Sequence, residues 1–260
     1  MGLRFDHDRV RQVRTLLARR RERHDQQRFV VEGSVLVAEA VAAGWIGVAQ
    51  IVPEGRTDAV VPDAGEVFEL APGVFERVAS TKQPQPPIAI VEFADHAVSS
   101  VLADADFVVV LDRISDPGNL GTILRSAEAA GADAVVVTAG SVDPYNPKVG
   151  RASAGALFHV PVVEATLDEV RAAGFVLAGT SSHEAAGRTV VEHTSADLTG
   201  RMAIVMGNEA AGLPDDWDDL HGPIDRWLTI PHRGRSESLN VAMATTVLVF
   251  EAARQRAAAR

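Results

Sequence analysis

Residues 106–260 alternate short, strongly apolar runs with segments of helical periodicity. The apolar runs are 107–111, 134–138, 160–163, 175–180, 202–206 and 227–230. Strands this apolar are buried on both faces, and the helical segments between them supply the covering layers. The alternation therefore predicts an α/β domain on a mostly parallel sheet, with ligands expected at the carboxyl ends of the strands.

A shorter alternation occupies residues 1–95. The predicted helices are an amphipathic one over 8–23, one over 34–43 capped by Ser34, and a short one over 72–79. The predicted strands are 29–33, 46–52, 67–70 and 88–93. Residues 96–105 lack strong periodicity. We therefore predict a smaller α/β domain over 1–95, a linker over 96–105 and a larger domain over 106–260.

The last helix is predicted to begin at Leu239 and is apolar on almost every side. A helix of this kind is expected to be enclosed by other elements of the protein. Residues 252–260 are rich in alanine and arginine and are predicted to be its fraying end. A short acidic helix is predicted near 215–220.

The composition excludes several kinds of site. The 260 residues include no cysteine, so disulfides and thiolate metal sites are excluded. The eight histidines form no H-x-x-x-H spacing, and we predict no metal. No apolar run approaches the roughly 18 residues of a membrane span, and the amino end lacks the apolar core of a signal peptide. A cytoplasmic protein is expected.

The charge is distributed unevenly along the chain. The formal net charge is −10, which argues against coating of nucleic acid through bulk attraction. Residues 1–28 nevertheless hold nine arginines and only four acidic residues. This basic segment is either a solvated helix face or a surface that contacts a polyanion.

Three polar loops leave predicted strands of the larger domain. The first, over 112–119, leads into a helix, where Asn119 is suited to cap the helix and Arg125 to form an ion pair or to serve a site. The second, over 207–214, places Glu209 between two glycines. The third, over 231–240, has more polar side chains than a loop needs in order to connect a strand to a helix, which favours a functional site. Neither a dinucleotide-binding glycine motif nor a P-loop is present.

Together these loops resemble the motifs of the SpoU (TrmH-like) class of RNA 2′-O-ribose methyltransferases in the SPOUT superfamily. The matching segments are DPGNLGTILR over 116–125, GNEAAGL over 207–213, IPHRGRSESLNV over 230–241 and NPKVGRASAG over 146–155. Residues 1–95 resemble the L30e-like substrate-binding domain of many members. His232 departs from the usual methionine, and Ala242 and Met243 from a frequent serine and small residue. These departures bear on substrate preference more than on activity.

The resemblance implies an α/β knot, a deep trefoil in which the carboxyl-terminal segment threads a loop to form the pocket for S-adenosyl-L-methionine. By motif position, the residues that contact this cofactor are Thr180, Gly207, Ile230 and Leu239. The family also forms homodimers through the knotted domain, and RNA at one active site meets both subunits. Ribosomal RNA is favoured over transfer RNA as the substrate.

The resemblance also assigns catalytic roles. Arg125 is placed next to the reacting hydroxyl, as an electrostatic stabiliser or, if its pKa were severely lowered, as a base. The residues around it are Asn119, Glu209, Ser238 and Asn240. The expected RNA-binding residues are Arg19, Arg20, Arg21, Arg28, Arg151, Arg233 and Arg235. Two alternatives stay open: a catalytically inactive RNA-binding protein of the same fold, and an α/β enzyme that acts on a small molecule.

Overall fold

The computed structural model describes residues 2–81, 83–181, 190–214, 217, 222–235 and 238–259. The chain forms two compact units. Unit 1 consists of Met1–Asp95 and Asp143–His159, and unit 2 of His96–Val142 and Val160–Arg260. Within the described residues, no helix has the length and hydropathy of a membrane span. The short helix predicted near 215–220 falls, except for Trp217, outside the described residues.

Helices and strands occur throughout the described residues. In chain order they are α1 Asp8–Ala18, α2 Arg20–Gln26, β1 Arg28–Glu32, α3 Ser34–Ala42, β2 Gly47–Pro53, β3 Glu66–Leu70, α4 Phe75–Val78, β4 Ile88–Glu92, α5 Val98–Asp104, β5 Phe107–Leu111, α6 Pro117–Ala129, β6 Ala134–Val137, α7 Pro147–Ser153, β7 Val162–Glu164, α8 Leu167–Ala172, β8 Val176–Thr180, β9 Val190–Glu192, β10 Met202–Met206, β11 Arg226–Thr229 and α9 Val241–Ala258. Short 3₁₀ turns lie at Thr57–Ala59 and Ala156–Phe158.

Unit 1 is built on a mixed sheet with the strand order β1-β4-β2-β3. Strand β4 is antiparallel to both its neighbours, and β3 is parallel to β2. The apolar stripe of α1, formed by Val10, Val13 and Leu16, is completely buried in the core of this unit. The amphipathic pattern therefore marks the face of the helix that covers the sheet.

The helix predicted over 8–23 is broken at Arg19, whose backbone is extended. The break allows α2 to turn Arg23 inward, where its Nη1 atom donates to the carbonyl oxygen of Leu16 at 2.7 Å. Ser34 is the first residue of α3 and not its cap, because Gly33 holds the cap position with a φ of +99°. Helix α4 is confined to a single turn that starts at Phe75.

The segment Asp143–His159 belongs to unit 1, although the sequence assigned it to the larger domain. Asp143 forms a buried ion pair with Arg23 at 2.6 Å. Tyr145 stacks on Phe93, with ring centres 3.6 Å apart and planes inclined by 17°. Burial, followed by the charge of Asp143, raises the pKa of Tyr145 to about 12. These contacts join residues far apart in the chain, which is why local periodicity did not reveal them.

Unit 2 is built on a sheet of seven described strands in the order β7-β6-β5-β10-β8-β11-β9, and every neighbouring pair is parallel. The predicted α/β fold with a mostly parallel sheet is confirmed. Strand β9 was not predicted. Residues 96–105, expected to be a linker, contain α5, whose Leu102 is buried in the core of unit 2. A single buried apolar residue does not produce a repeating helical pattern, so the sequence did not predict α5.

Helix α9 begins at Val241 and covers the sheet with one face. Its buried residues are Val241, Ala242, Thr245, Leu248, Val249 and Ala252. The prediction of a fraying end is wrong, because Ala252 is fully buried and the Arg256 guanidinium lies 4.9 Å from the ring centre of Phe107. The prediction of an enclosed helix holds for one face only. Within this chain, Met243, Val247 and Phe250 are 64%, 38% and 48% exposed.

Candidate active site

Four neighbouring strands, β5, β10, β8 and β11, bring their carboxyl ends to the same edge of the parallel sheet of unit 2. The three polar loops continue from β5, β10 and β11. A cavity of about 380 Å³ opens here. Its lining is Thr180, Ser181, Met206, Gly207, Asn208, Glu209, Ala210, Ala211, Gly212, Leu213, Trp227, Leu228, Ile230, His232, Ser238, Leu239, Val241, Ala244 and Leu248. Parallel topology therefore unites segments that are far apart in sequence.

The cavity has an apolar wall and a polar rim. Large apolar side chains such as Trp227, Ile230 and Leu239 form the wall, and Asn208 and Glu209 lie on the polar side. The four predicted cofactor residues, Thr180, Gly207, Ile230 and Leu239, all line this cavity. An apolar slot with a few polar groups at one end is typical of sites for small organic cofactors.

Gly207 is required by the backbone of its own loop. A Cβ atom at this position would collide with the backbone of Gly212 and Leu213. The loop folds back on itself because Gly212 N–H donates to Asn208 O at 2.9 Å, and Asn208 Oδ1 accepts from the amides of Ala210 and Ala211. The family resemblance places Gly207 against the cofactor, and in the structure this glycine also allows two stretches of the chain to approach each other closely.

Glu209 joins the second loop to the first. Its carboxylate accepts from the Ser115 hydroxyl at 2.9 Å, from the Asp116 amide at 2.9 Å and from Asn119 Nδ2 at 3.1 Å. Partial burial acts to raise the pKa of Glu209, but these hydrogen bonds outweigh it and lower that pKa to about 2. Glu209 is therefore ionised at any ordinary pH, and its carboxylate positions the loop after β5.

Asn119 links the first loop to the third. It does not cap α6, because Asp116 holds the cap position and accepts from Asn119 N–H at 2.8 Å. The Asn119 side chain instead donates to Glu209 and accepts from Asn240 Nδ2 at 3.0 Å. Asn240 in turn caps α9 through the amides of Ala242 and Met243. We call Glu209, Asn119 and Asn240 the three-loop network.

Arg125 lies on α6 with its side chain exposed. Throughout the described part of the chain, no hydrogen bond or ion pair engages its guanidinium, so all its donors are available to a ligand. The next residue, Ser126, is held to α9 by a hydrogen bond of 2.6 Å to Thr246. Ser238 is exposed and lines the cavity. The site thus combines a fixed network with an unengaged cation at Arg125.

The arginines predicted to bind RNA lie in both units. In unit 1, Arg19, Arg20 and Arg21 are exposed around the break between α1 and α2, and Arg21 pairs with Asp25. Arg28 pairs with Glu92 at 2.9 Å. Arg151 donates to the Ser80 hydroxyl at 2.7 Å. In unit 2, Arg233 and Arg235 are exposed in the third loop. An RNA contact at each of these positions stays a prediction.

Sequence reasoning missed Asn208 and Ser115. Asn208 shapes the second loop and also donates from Nδ2 to Arg113 O at 2.8 Å. An asparagine directly after a strand commonly bonds to backbone amides two or three residues ahead, which was the available signal. His232 lines the cavity, which gives its position but no role. Among the described residues, no three histidine or carboxylate side chains form a cluster that could hold a metal ion.

Comparison with known proteins agrees with this fold. A model of the SpoU rRNA Methylase family matches residues 106–250, and a model of the MRM3-like substrate binding domain matches residues 7–89. The chain therefore belongs to the SpoU rRNA methylase family, as the three loops indicated. In that comparison the amino-terminal region matches a substrate-binding domain.

Two relatives and one solved structure are similar over most of the chain. RlmP of Bacillus subtilis, a 23S rRNA (guanosine(2553)-2′-O)-methyltransferase, is 34% identical over 89% of this chain and 90% of its own. The 23S rRNA (uridine(2479)-2′-O)-methyltransferase of Streptomyces viridochromogenes is 32% identical over 97% of this chain and 91% of its own. The crystal structure of an AdoMet-bound rRNA methyltransferase from Sinorhizobium meliloti has a TM-score of 0.83 at 30% identity, covering 98% of this chain and 97% of that chain.

Proposed function

We propose that this chain transfers the methyl group of S-adenosyl-L-methionine to a ribose 2′-hydroxyl of 23S ribosomal RNA. The observation that carries the proposal is the three-loop network beside a cavity of cofactor size. Both similar relatives are named 23S rRNA 2′-O-methyltransferases, which favours an active enzyme over an inactive RNA-binding protein. It also favours ribosomal over transfer RNA.

The cavity fits the cofactor chemically. Its volume of about 380 Å³ lies in the usual range for small-molecule sites. Trp227, Ile230 and Leu239 offer apolar surface to an adenine ring. The ionised carboxylate of Glu209 on the rim favours the cationic sulfonium over a neutral or anionic ligand. Thr180 and Gly207 complete the proposed cofactor contacts.

When bound, the cofactor would supply an electrophilic methyl group. The ribose oxygen would form the new O–C bond as the C–S bond breaks, the neutral thioether of S-adenosylhomocysteine would leave, and the hydroxyl proton would pass to solvent. The contribution of the chain is to position the reacting oxygen and to stabilise it as it loses its proton. Arg125 is exposed and carries its charge, so it acts on the developing negative charge or on the flanking phosphate. The ribose is positioned, with its 2′-hydroxyl toward the methyl group, by the side chains of Asn119, Asn240 and Ser238. Glu209 acts through Asn119 and the loop after β5.

We propose a homodimer formed through unit 2. Met243, Val247 and Phe250 follow one another at helical spacing on α9 and are 64%, 38% and 48% exposed. An apolar stripe of this kind is costly in water and suits a second copy of the same helix. Light scattering should give the mass of two chains. The substitution Phe250→Glu should give one, and a wild-type chain that remains monomeric would contradict the dimer.

We also propose the remaining features of the family for this chain. Unit 1 is the RNA substrate-binding domain, which the match of residues 7–89 supports. The carboxyl-terminal segment forms a deep trefoil knot, as the motifs of the family imply. The protein acts in the cytoplasm, where ribosomal RNA is available. The parallel order of β10, β8 and β11 around the site is compatible with the knot.

A methyl-transfer assay tests the function directly. Purified protein is incubated with isotopically labelled S-adenosyl-L-methionine and transcribed 23S rRNA, and the position of the label is mapped by mass spectrometry of nuclease fragments. We expect one ribose-methylated nucleotide and saturable binding of the cofactor by calorimetry. RNA binding without transfer would support the inactive alternative. Transfer only to transfer RNA would overturn the proposed substrate.

A further inference from the structure

The amino-terminal arm of unit 1 holds an aromatic ring in a fixed place. Leu3 pairs with Leu70 at the edge of the sheet, and Leu3 N–H donates to Glu69 O at 2.6 Å. A side chain at Gly2 would collide with the backbone of Ala71, so the arm lies directly on the sheet edge. Phe5 then packs against the core of the unit while remaining half-buried.

Two arginines from different helices lie over this ring. Arg14 comes from α1 and Arg77 from α4, and the Cζ atom of each is 4.3 Å from the ring centre of Phe5. Their charges are therefore within twice that distance of each other, which is comparable to a Debye length of about 8 Å. Two cations held this close repel each other, and an anion placed against both would relieve the repulsion.

The ring leaves the polar atoms of both arginines available. In the described ranges, neither side chain makes a hydrogen bond or an ion pair, and both are exposed. A cation–π contact is made by the charge of the guanidinium and does not require its N–H donors to bond to an acceptor. Two arginines of unit 1 differ in this respect. Arg28 and Arg56 direct their N–H groups at Glu92 and Asp58.

We propose that Phe5, Arg14 and Arg77, which we call the Phe5 cluster, bind the phosphate backbone of RNA. The inference rests on the proposed function and adds a contact surface on unit 1. Planar guanidinium groups with unused donors match phosphate oxygens. A pair of them can contact successive phosphates, and such contacts do not depend on the base sequence of the RNA. The net charge of −10 keeps the rest of the protein from binding RNA indiscriminately, so a local pair of cations matters more here.

The test compares two double variants of the full-length protein that remove the same charge. Arg14→Ala with Arg77→Ala removes the cluster, and Arg9→Ala with Arg56→Ala removes arginines that already pair with Glu66 and Asp58. Affinity for transcribed 23S rRNA is measured at several salt concentrations. We expect the first variant to bind about tenfold more weakly, with a salt slope lower by about 1.4 to 1.8. The second should stay within about twofold.

Equal affinities and equal slopes for the two variants would overturn the proposal. Phe5→Leu keeps both charges but removes the ring that holds them, so weaker RNA binding is expected, and unchanged binding would refute the role of the ring. Thermal unfolding of each variant identifies any loss of folding. Tighter binding of the wild-type protein to phosphatidylserine vesicles than to RNA would refute the choice of partner.

The kinetics of methyl transfer distinguish a failure of the Phe5 cluster from a failure of the proposed function. The cluster variant should raise KM for RNA while kcat at saturating RNA stays unchanged. If the wild-type protein methylates 23S rRNA and the cluster variant matches it in KM, only the Phe5 cluster is refuted. If the wild-type protein neither binds nor methylates 23S rRNA, the proposed function fails and the RNA surface fails with it.

Discussion

The three-loop network of unit 2 and the Phe5 cluster of unit 1 use polar side chains in opposite ways. In the network, Glu209 and Asn119 direct their polar atoms at other loop atoms. In the cluster, Arg14 and Arg77 are held by a ring and keep their N–H donors unengaged among the described residues. A site that aligns reacting atoms needs fixed groups, whereas a surface for a phosphate backbone needs donors left over for the ligand.

The largest expected effect is at Gly207, on which the second loop of the network depends. Gly207→Ala should cost about 2 kcal/mol, because the new Cβ meets the backbone of Gly212 and Leu213 and neither can move aside cheaply. Thermal unfolding and calorimetric titration measure this as lower stability or as about thirtyfold weaker cofactor binding. Gly200→Ala is the control, since a Cβ there meets nothing within 4 Å. Equal behaviour of the two variants would contradict the tight loop.

Removal of the unengaged Arg125 guanidinium should leave the three-loop network intact. Arg125→Ala is expected to lower kcat for methyl transfer at least about tenfold, which is about 1.4 kcal/mol of barrier. Cofactor affinity should not change, because Arg125 does not line the cavity. Steady-state kinetics with 23S rRNA and calorimetry provide the two measurements. Retained turnover would refute the catalytic role.

The network should also respond to acid in a definite direction. The pKa of Glu209 is lowered from 4.5 to about 2 in the folded state, so its hydrogen bonds stabilise the fold above pH 4.5 and are lost as pH falls toward 2. Glu209→Gln should therefore cost about 1 kcal/mol at pH 7, and the difference from wild type should shrink below pH 4.5. Thermal unfolding across pH measures it.

The matched control for that titration is Glu128→Gln. Glu128 is exposed on the same helix as Asn119, and its side chain makes no hydrogen bond within the described ranges. Its substitution should leave the free energy of unfolding within about 0.5 kcal/mol of the wild-type value, as is usual for an exposed side chain without a bonding partner. A Glu209→Gln effect that persists unchanged at pH 3 would mean that the carboxylate does not hold the loop.

The smallest effect is expected at Arg28, where an arginine is already engaged. Arg28 pairs with Glu92 directly across the antiparallel strands β1 and β4. Arg28→Ala should weaken RNA binding by no more than about twofold, because the guanidinium of Arg28 is already engaged by Glu92. Loss of this surface ion pair should also change the stability of the fold only slightly. A loss as large as that of the Phe5 cluster variant would remove the distinction between paired and unpaired arginines.

Much of unit 2 follows from the sequence itself. The strands at 107–111 and 202–206 were predicted with the observed bounds, because a fully buried strand is a local apolar run. The residues of the three-loop network were also identified, since each lies in a contiguous motif after a strand. Which atoms they bond to was not predictable. Asp116, three residues earlier, takes the capping role for which Asn119 is equally suited.

Tertiary structure alone decided the features that depend on contacts distant in the chain. Sequence placed Arg14 in a basic helix, but only the packing of α4 brings Arg77 to the same ring. The segment Asp143–His159 joins unit 1 through a buried ion pair and a stacked ring that no local pattern encodes. Periodicity shows which residues avoid water, whereas charge pairing and ring stacking depend on which surfaces meet. Most elements and the three loop motifs of this protein were therefore predictable from its sequence, and the partners of its charged side chains were not.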